Sequence, residues 1–271
     1  MSSFSMSLDF TTWRDEGDGR PHILARIDAA RAKGLKLVLT LTGGGTDRYT
    51  TNGRFDLEKW KHGNPLYPGS GMDGYDTSAI TEAVAQAVAD GVVLGSSVMD
   101  EPSRMASWGP MTKAVVDTMC AYVKGIFPTL PVGVFAVHWW RREEHYGVCD
   151  FIVSQFEYDV RDGGGQGTET PTAFRDAGLA MAAADRVSIV FSMNILGGGH
   201  SGPDCTRDGK ECLMSASELR DAGLILGPAG SGLLMWRYDS TIMGQAAYQS
   251  AMDDIAADLR ARPAKSWRRS P

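Results

Sequence analysis

Along this chain, short runs of consecutive apolar residues alternate with stretches in which apolar residues recur every three or four positions. Residues 22–33 set Ile23, Ile27 and Ala30 on one helical face, and Gly34 follows as a C-terminal stop. Residues 35–41 (LKLVLTL) read as a buried strand that ends at Thr42-Gly43-Gly44-Gly45. Residues 75–90 carry Ile80, Ala83, Val84, Ala87 and Val88 in one stripe, and 91–99 follow as a strand. Residues 111–127 are helical up to Pro128, and 132–137 (VGVFAV) and 151–156 are strands. Thr170-Pro171 opens a helix through 184, with threonine as the cap and proline in the first turn. Residues 187–193 are strand-like, and Ser215 with Glu218 forms the signature of a capping box. A last strand at 232–236 precedes an amphipathic helix at 246–259, marked by Tyr248, Met252, Ile255 and Leu259. The basic stretch 263–271 is expected to fray.

Strands that alternate with helices imply a parallel sheet, hence an α/β fold. Six strands are clear, a weaker one lies at 4–10, and an eighth is sought in the glycine- and proline-rich stretch 53–74. The count suits a (β/α)8 barrel with one degenerate βα unit better than a doubly wound sheet. No G-x-G-x-x-G follows an early strand and no P-loop is present, which weakens the nucleotide-binding alternative further. No linker or repeat interrupts the pattern, so 1–262 reads as one domain.

The 271 residues give ample length for a buried core, and the 27 Lys+Arg against 33 Asp+Glu leave a net charge of −6. That balance offers no basic footprint for nucleic acid or anionic lipid, so neither is an expected partner. No apolar run approaches the ~20 residues of a membrane span. The opening MSSFSMSLDF lacks the basic and long apolar regions of a signal peptide. A secreted or extracytoplasmic location is expected, with any leader absent from this chain, and a cytoplasmic one stays open.

Of the four cysteines, Cys205 and Cys212 lie in a polar, glycine-rich stretch, where a bridge would close a small loop under oxidising conditions. Cys120 falls in a helical pattern and reads as a buried apolar filler. His200, Asp204, Cys205 and Cys212 match no zinc spacing, so no metal and no cofactor is expected.

A parallel barrel carries its chemistry at the C-terminal ends of its strands. Here those ends read Asp100-Glu101-Pro102, His138-Trp139-Trp140-Arg141, Gln155-Phe156-Glu157-Tyr158-Asp159, Asn194 and Trp236-Arg237-Tyr238-Asp239. Indole faces beside carboxylates suit sugar rings, which stack through C–H faces and hydrogen-bond at their edges. Glu101 is the first candidate: desolvation at the end of a buried strand raises a carboxyl toward general-acid duty. Its alternative is a helix cap or a pair with Arg104. Asp239, Glu157 and Asp159 are candidates for the second carboxylate that a glycosidase needs. Asp239 has an alternative role as a cap. The glycine triplets at Gly43, Gly163 and Gly197 read as flexible loops, since no Lys or Ser/Thr stands at P-loop spacing. No G-x-S-x-G elbow supports a serine hydrolase.

With these strand ends, VLGSSVMDEP resembles the fourth strand of clan-A (β/α)8-barrel glycoside hydrolases, which ends in Asn-Glu-Pro. The resemblance assigns the acid/base role to Glu101, with Asp100 in place of the usual Asn. GLLMWRYD resembles the eighth strand of that clan, whose Trp lines a sugar subsite, here Trp236. VHWW, SQFEYD and FSMNIL then stand as the fifth, sixth and seventh strands. The clan's nucleophile is a Glu ending the seventh strand, where this chain has Met193-Asn194. The set DEP, FSMNILGGG, MSASEL and MWRYD looks closer to a group of uncharacterised bacterial barrel proteins.

The expected function is cleavage of glycosidic bonds in a polysaccharide or oligosaccharide. Glu101 is the proton donor and Asp239 or Glu157 the nucleophile or base. Trp139, Trp140, Trp236, Tyr238, Gln155, Asn194, His138 and Arg237 line the subsites. Two rivals stand beside this reading. One is an inactive carbohydrate-binding barrel, favoured by the missing seventh-strand Glu. The other is a metal-dependent barrel hydrolase, disfavoured by the lack of clustered His ligands.

Overall fold

Most predicted apolar runs are strands, and those of 6–9, 36–40, 93–100, 132–135, 188–194 and 233–236 pair in parallel. The computed structural model describes residues 6–9, 21–41, 47–66, 70–102, 111–158, 170–199, 212–236 and 239–270. They belong to two units, an N-terminal one of Phe4–Ile152, Asp185–Val187 and Trp267–Pro271, and a C-terminal one containing Val153–Ala184 and Ser188–Ser266.

The N-terminal unit begins with β1 (Met6–Asp9), α1 (His22–Lys33) and β2 (Lys36–Thr40). Gly34 closes α1 in the left-handed region at φ 64°, and its N–H bonds the Ala30 and Arg31 carbonyls. A two-residue antiparallel hairpin follows, β3 (Thr50–Thr51) with β4 (Arg54–Phe55), then α2 (Leu57–His62) and α3 (Ser78–Ala89). Next come β5 (Val93–Asp100), α4 (Lys113–Ile126) and β6 (Val132–Phe135). Thr77 and Thr112 cap α3 and α4 with side-chain hydroxyls, so both helices start later than the apolar stripe alone predicts. The sheet runs β1-β2-β5-β6, with Leu8 opposite Val38, Leu39 opposite Ser96 and Ser97 opposite Gly133.

The C-terminal unit takes β7 (Phe151–Phe156), α5 (Pro171–Asp185), β8 (Ser188–Asn194), α6 (Ala216–Leu226) and β9 (Leu233–Trp236). It ends with α7 (Ser240–Met243) and α8 (Ala246–Arg260). The expected capping box is formed: Ser215 Oγ accepts from the Glu218 N–H, and the Glu218 carboxylate accepts from the Ser215 N–H at 2.7 Å. Sheet order is β7-β8-β9, with β8 and β9 parallel. Parallel strands taken in chain order and joined by helices make this an α/β chain with the arrangement of a (β/α)8 fold.

Three expectations change. The described residues of 53–74 hold β4, α2 and a 3-10 turn rather than a barrel strand. Among the described residues the DEP stretch closes the third parallel strand in chain order. Its glycines and prolines gave a loop signal, and there is no buried apolar run to make a strand.

Cys120 is more than a filler: it is bridged to Cys149, with Cα atoms 5.4 Å apart. The reason lies in the β6–β7 connection, residues 136–150, which has no helix. It is the degenerate βα unit. The Asp117 carboxylate on α4 accepts the backbone N–H groups of Gly147, Val148 and Cys149, which brings Cys149 against the helix that carries Cys120. Cys212 is also disulfide-bonded, and Cys205 lies outside the described residues.

The C-terminal stretch, expected to fray, makes packed contacts at Trp267 and Arg269. Trp267 is buried against Phe151, with ring centroids 5.0 Å apart, and the Arg269 guanidinium donates to the Tyr146 carbonyl at 2.9 Å. A single tryptophan in a basic stretch leaves no periodic pattern, so only packing reveals it.

Candidate active site

In the N-terminal unit, β5 delivers Asp100 and Glu101 to its C-terminal end, both half-buried. The pairing with β6 is irregular between Ser97 and Asp100, after which Asp100 stands opposite Phe135. Glu101 follows with φ 43°, a left-handed conformation that a glutamate adopts only at a cost of order 1–3 kcal/mol. Its N–H donates to the Phe135 carbonyl at 2.9 Å, which holds the residue in that conformation. Bulged, strained strand ends of this kind gather at functional sites. Arg104 lies outside the described residues, as do Gly43, Asp159, Gly163, Arg237 and Tyr238.

Beyond β6, His138 is buried at 5% exposure and packs edge-on against the half-buried Trp139 ring, with centroids 4.8 Å apart. Trp140 and Arg141 follow in the same turn, with Arg141 at φ 45° and paired with Glu144 at 2.6 Å. Burial pushes the His138 imidazole down to about 4. The unfolded chain protonates this group near 6.5, so stability is fully present above that pH and falls as pH drops from 6.5 toward 4. The loss is roughly 2–3 kcal/mol, and His138→Gln should flatten that part of the curve. Urea midpoints at pH 7 and pH 4 for both proteins check this. Equal acid sensitivity in the variant overturns the assignment.

In the C-terminal unit, three predicted residues come together. Glu157 leaves the end of β7, and its Oε1 accepts from Gln155 Nε2 at 3.0 Å and from Asn194 Nδ2 at 2.9 Å. Asn194 ends β8 and stands opposite Trp236, the last residue of β9, which is 37% exposed. The ends of β7 and β9 thus offer a carboxylate and an indole on either side of Asn194. Asp239 is the N-cap of α7: its Oδ1 accepts from the N–H groups of Thr241 at 2.9 Å and Ile242 at 3.3 Å. This is the alternative that its position after the last strand allowed.

Sequence reasoning missed the part played by Gly198. A Cβ there would fall 2.5 Å from the Asn194 carbonyl oxygen and 3.2 Å from Glu157 Cα. The signal was the glycine triplet, but it marks close backbone packing rather than a loose loop. Among the described residues no cluster of three His, Cys, Asp or Glu side chains is placed to hold a metal ion. Nor is any helix among them long and apolar enough to cross a membrane.

Neither a protein-family model nor a curated protein matches this chain. Solved structures similar to it include a glucosidase from Croceicoccus marinus, at 14% identity over 88% of this chain and 52% of that one, with a TM-score of 0.49. A GH113 β-1,4-mannanase in complex is 15% identical over 96% of this chain and 86% of its own, with a TM-score of 0.48. A β-D-glucuronidase from Dictyoglomus thermophilum is 10% identical over 97% and 46%, with a TM-score of 0.49. This chain spans about half the length of the glucosidase and the glucuronidase. All three are glycoside hydrolases by name. At these identities no activity passes from them to this chain.

Proposed function

We propose that this chain cleaves glycosidic bonds of a polysaccharide or oligosaccharide, with Glu157 as nucleophile or base. The observation that carries the reading is Glu157 itself, a strand-end carboxylate held by two side-chain amides, one of them from Asn194, which stands opposite the exposed Trp236. Such a carboxylate is fixed in direction, as attack at a sugar carbon or activation of a water requires. The Trp236 face supplies a stacking platform for the ring. Glu101, at the β5 end of the N-terminal unit, is proposed as the proton donor on its own evidence, a carboxyl in a left-handed conformation of the kind that gathers at functional sites. Glu157 is preferred over Asp239, whose carboxylate serves a helix N-terminus. Trp139, Trp140 and His138 are proposed to line subsites, with the carbohydrate as the only partner. A secreted or extracytoplasmic setting fits a buried disulfide.

The test is a screen of polysaccharides and aryl glycosides for reducing-end release, run in parallel with quenching of tryptophan fluorescence. Glu157→Gln should lower kcat/KM at least ~100-fold while stability stays within about 1–2 kcal/mol. Glu101→Gln should do the same on unactivated substrates, and far less on aryl glycosides whose leaving group needs no proton. A second reading, a carbohydrate-binding barrel without activity, draws on Asn194 standing where the resemblance puts the clan's nucleophile. Quenching without cleavage, unchanged in both variants, would decide for it.

A further inference from the structure

We infer that Asn194 is a positioning residue, whose neutral amide aims the Glu157 carboxylate, rather than a ligand contact. This rests on the reading of Glu157 as the reacting carboxylate. The two ends of the Asn194 amide are told apart by their partners. Its Oδ1 accepts the Gly197 N–H at 3.1 Å, so Nδ2 is the end that faces Glu157 Oε1, at 2.9 Å. Reversing the amide would set an acceptor against a carboxylate and a donor against an N–H.

The turn after β8 makes that orientation rigid. The Gly198 N–H donates to the Asn194 carbonyl at 2.9 Å, and the Gly198 carbonyl accepts the Tyr158 N–H at 2.7 Å. The second bond ties the turn to the residue that follows Glu157. On the far side, the Gly199 N–H donates to the Cys212 carbonyl at 2.8 Å and the Met214 N–H to the Ile195 carbonyl at 2.7 Å. The turn is therefore pinned between the Glu157 backbone and residues 212–214. Gln155, on the same strand as Glu157, places its amide nitrogen 3.0 Å from the same oxygen. Two donors from different strands that meet on one oxygen fix both the position and the plane of the carboxylate. Only uncharged donor groups do this without a neighbouring charge that competes for the proton in the reaction.

Asn194→Asp tests the inference, because it exchanges a donor for a second carboxylate at hydrogen-bond distance. Two such groups cannot both ionise freely, so the pair should titrate with one apparent pKa raised by at least ~1 unit. Carbon-13 NMR of the labelled glutamate carboxyl reads this without a substrate. On a cleaved substrate, Asn194→Ala should lower kcat at least ~10-fold with KM within ~3-fold, and Asn194→Asp should move the acid limb of kcat upward. If Asn194→Asp does not fold, Gln155→Glu places a carboxylate next to the same oxygen and must show the same coupled titration. A Glu157 carboxyl that titrates identically in wild type and the folded variant overturns the inference, whatever the activity. If no substrate is cleaved, the functional reading fails, and the NMR titration still decides whether Asn194 orients Glu157. A KM that rises in Asn194→Ala with kcat unchanged would make the residue a ligand contact and overturn the inference as well.

Discussion

Lys113→Met should destabilise the protein by about 3–5 kcal/mol, because it leaves a buried carboxylate without its cation. Lys113 and Asp185 have side chains only 2% and 1% exposed, and their charged atoms lie 3.2 Å apart. The lysine Nζ also donates to the Glu144 carbonyl at 2.8 Å and sits 4.6 Å from the centre of the Tyr146 ring. Asp185 receives the His145 Nδ1 at 2.6 Å and the Tyr146 N–H at 3.2 Å. Burial and the surrounding carboxylates drive the Tyr146 phenol well above its ordinary range, so it stays neutral and presents a ring face to the ammonium. The network joins the start of α4 to the helix-less 136–150 connection through Asp185, which belongs to the same unit. Methionine fills the volume of lysine, so the loss reports the charge rather than a cavity. Asp185→Asn in the Lys113→Met background should restore part of the stability, since a neutral amide needs no counter-ion. Urea denaturation of the three proteins measures this. A single-variant loss below about 1 kcal/mol, or a double variant that is simply additive, would show that the pair contributes no more than a surface ion pair.

This pair was invisible in the sequence for a physical reason. Lys113 stands at the first turn of a helix, where a charged residue normally meets water, and its partner is 72 residues away. Patterns that depend on one backbone period were legible. The Ile23, Ile27, Ala30 stripe with its Gly34 stop gave α1 at the same bounds that the fold shows, and 151–156 gave β7. Both elements are set by local burial. The hairpin at 50–55 and the missing β6–β7 helix lack such periodicity, so neither was legible in the pattern. Of the site, the individual strand-end residues were legible, because a parallel strand must end somewhere near its last apolar residue. The convergence of Gln155, Glu157 and Asn194 on one oxygen was not. It depends on the register of separate strands, and on the room that Gly198 leaves by lacking a side chain. The cap made by Asp239 was an open alternative, settled only by which N–H groups lie within reach.

The double variant Cys120→Ala, Cys149→Ala should lower stability by about 3–4 kcal/mol, the closure entropy of a loop of this length. The bridge spans 29 positions, from the middle of α4 to the end of the 136–150 connection. Without a helix this connection has few backbone hydrogen bonds of its own, and it is fixed to α4 from outside. The Asp117 carboxylate takes three of its N–H groups, and the Lys124 ammonium donates to the Val148 carbonyl at 2.7 Å. Those bonds hold the segment only once it has folded, whereas the disulfide also restricts the unfolded chain. The variant is a cleaner probe than a reductant, because Cys212 is disulfide-bonded too and a reductant would open both bridges. Thermal and urea unfolding should therefore shift while the far-UV spectrum of the folded state stays the same. Asp117→Asn in the same background should cost more than in wild type, since the carboxylate is then the main remaining anchor of residues 147–149. A melting temperature that does not move in the cysteine double variant would show that the closed loop constrains the unfolded chain too little to matter. The stability of the helix-less connection would then rest on its side-chain anchors, Asp117, Lys124, Arg269 and the Lys113–Asp185 pair.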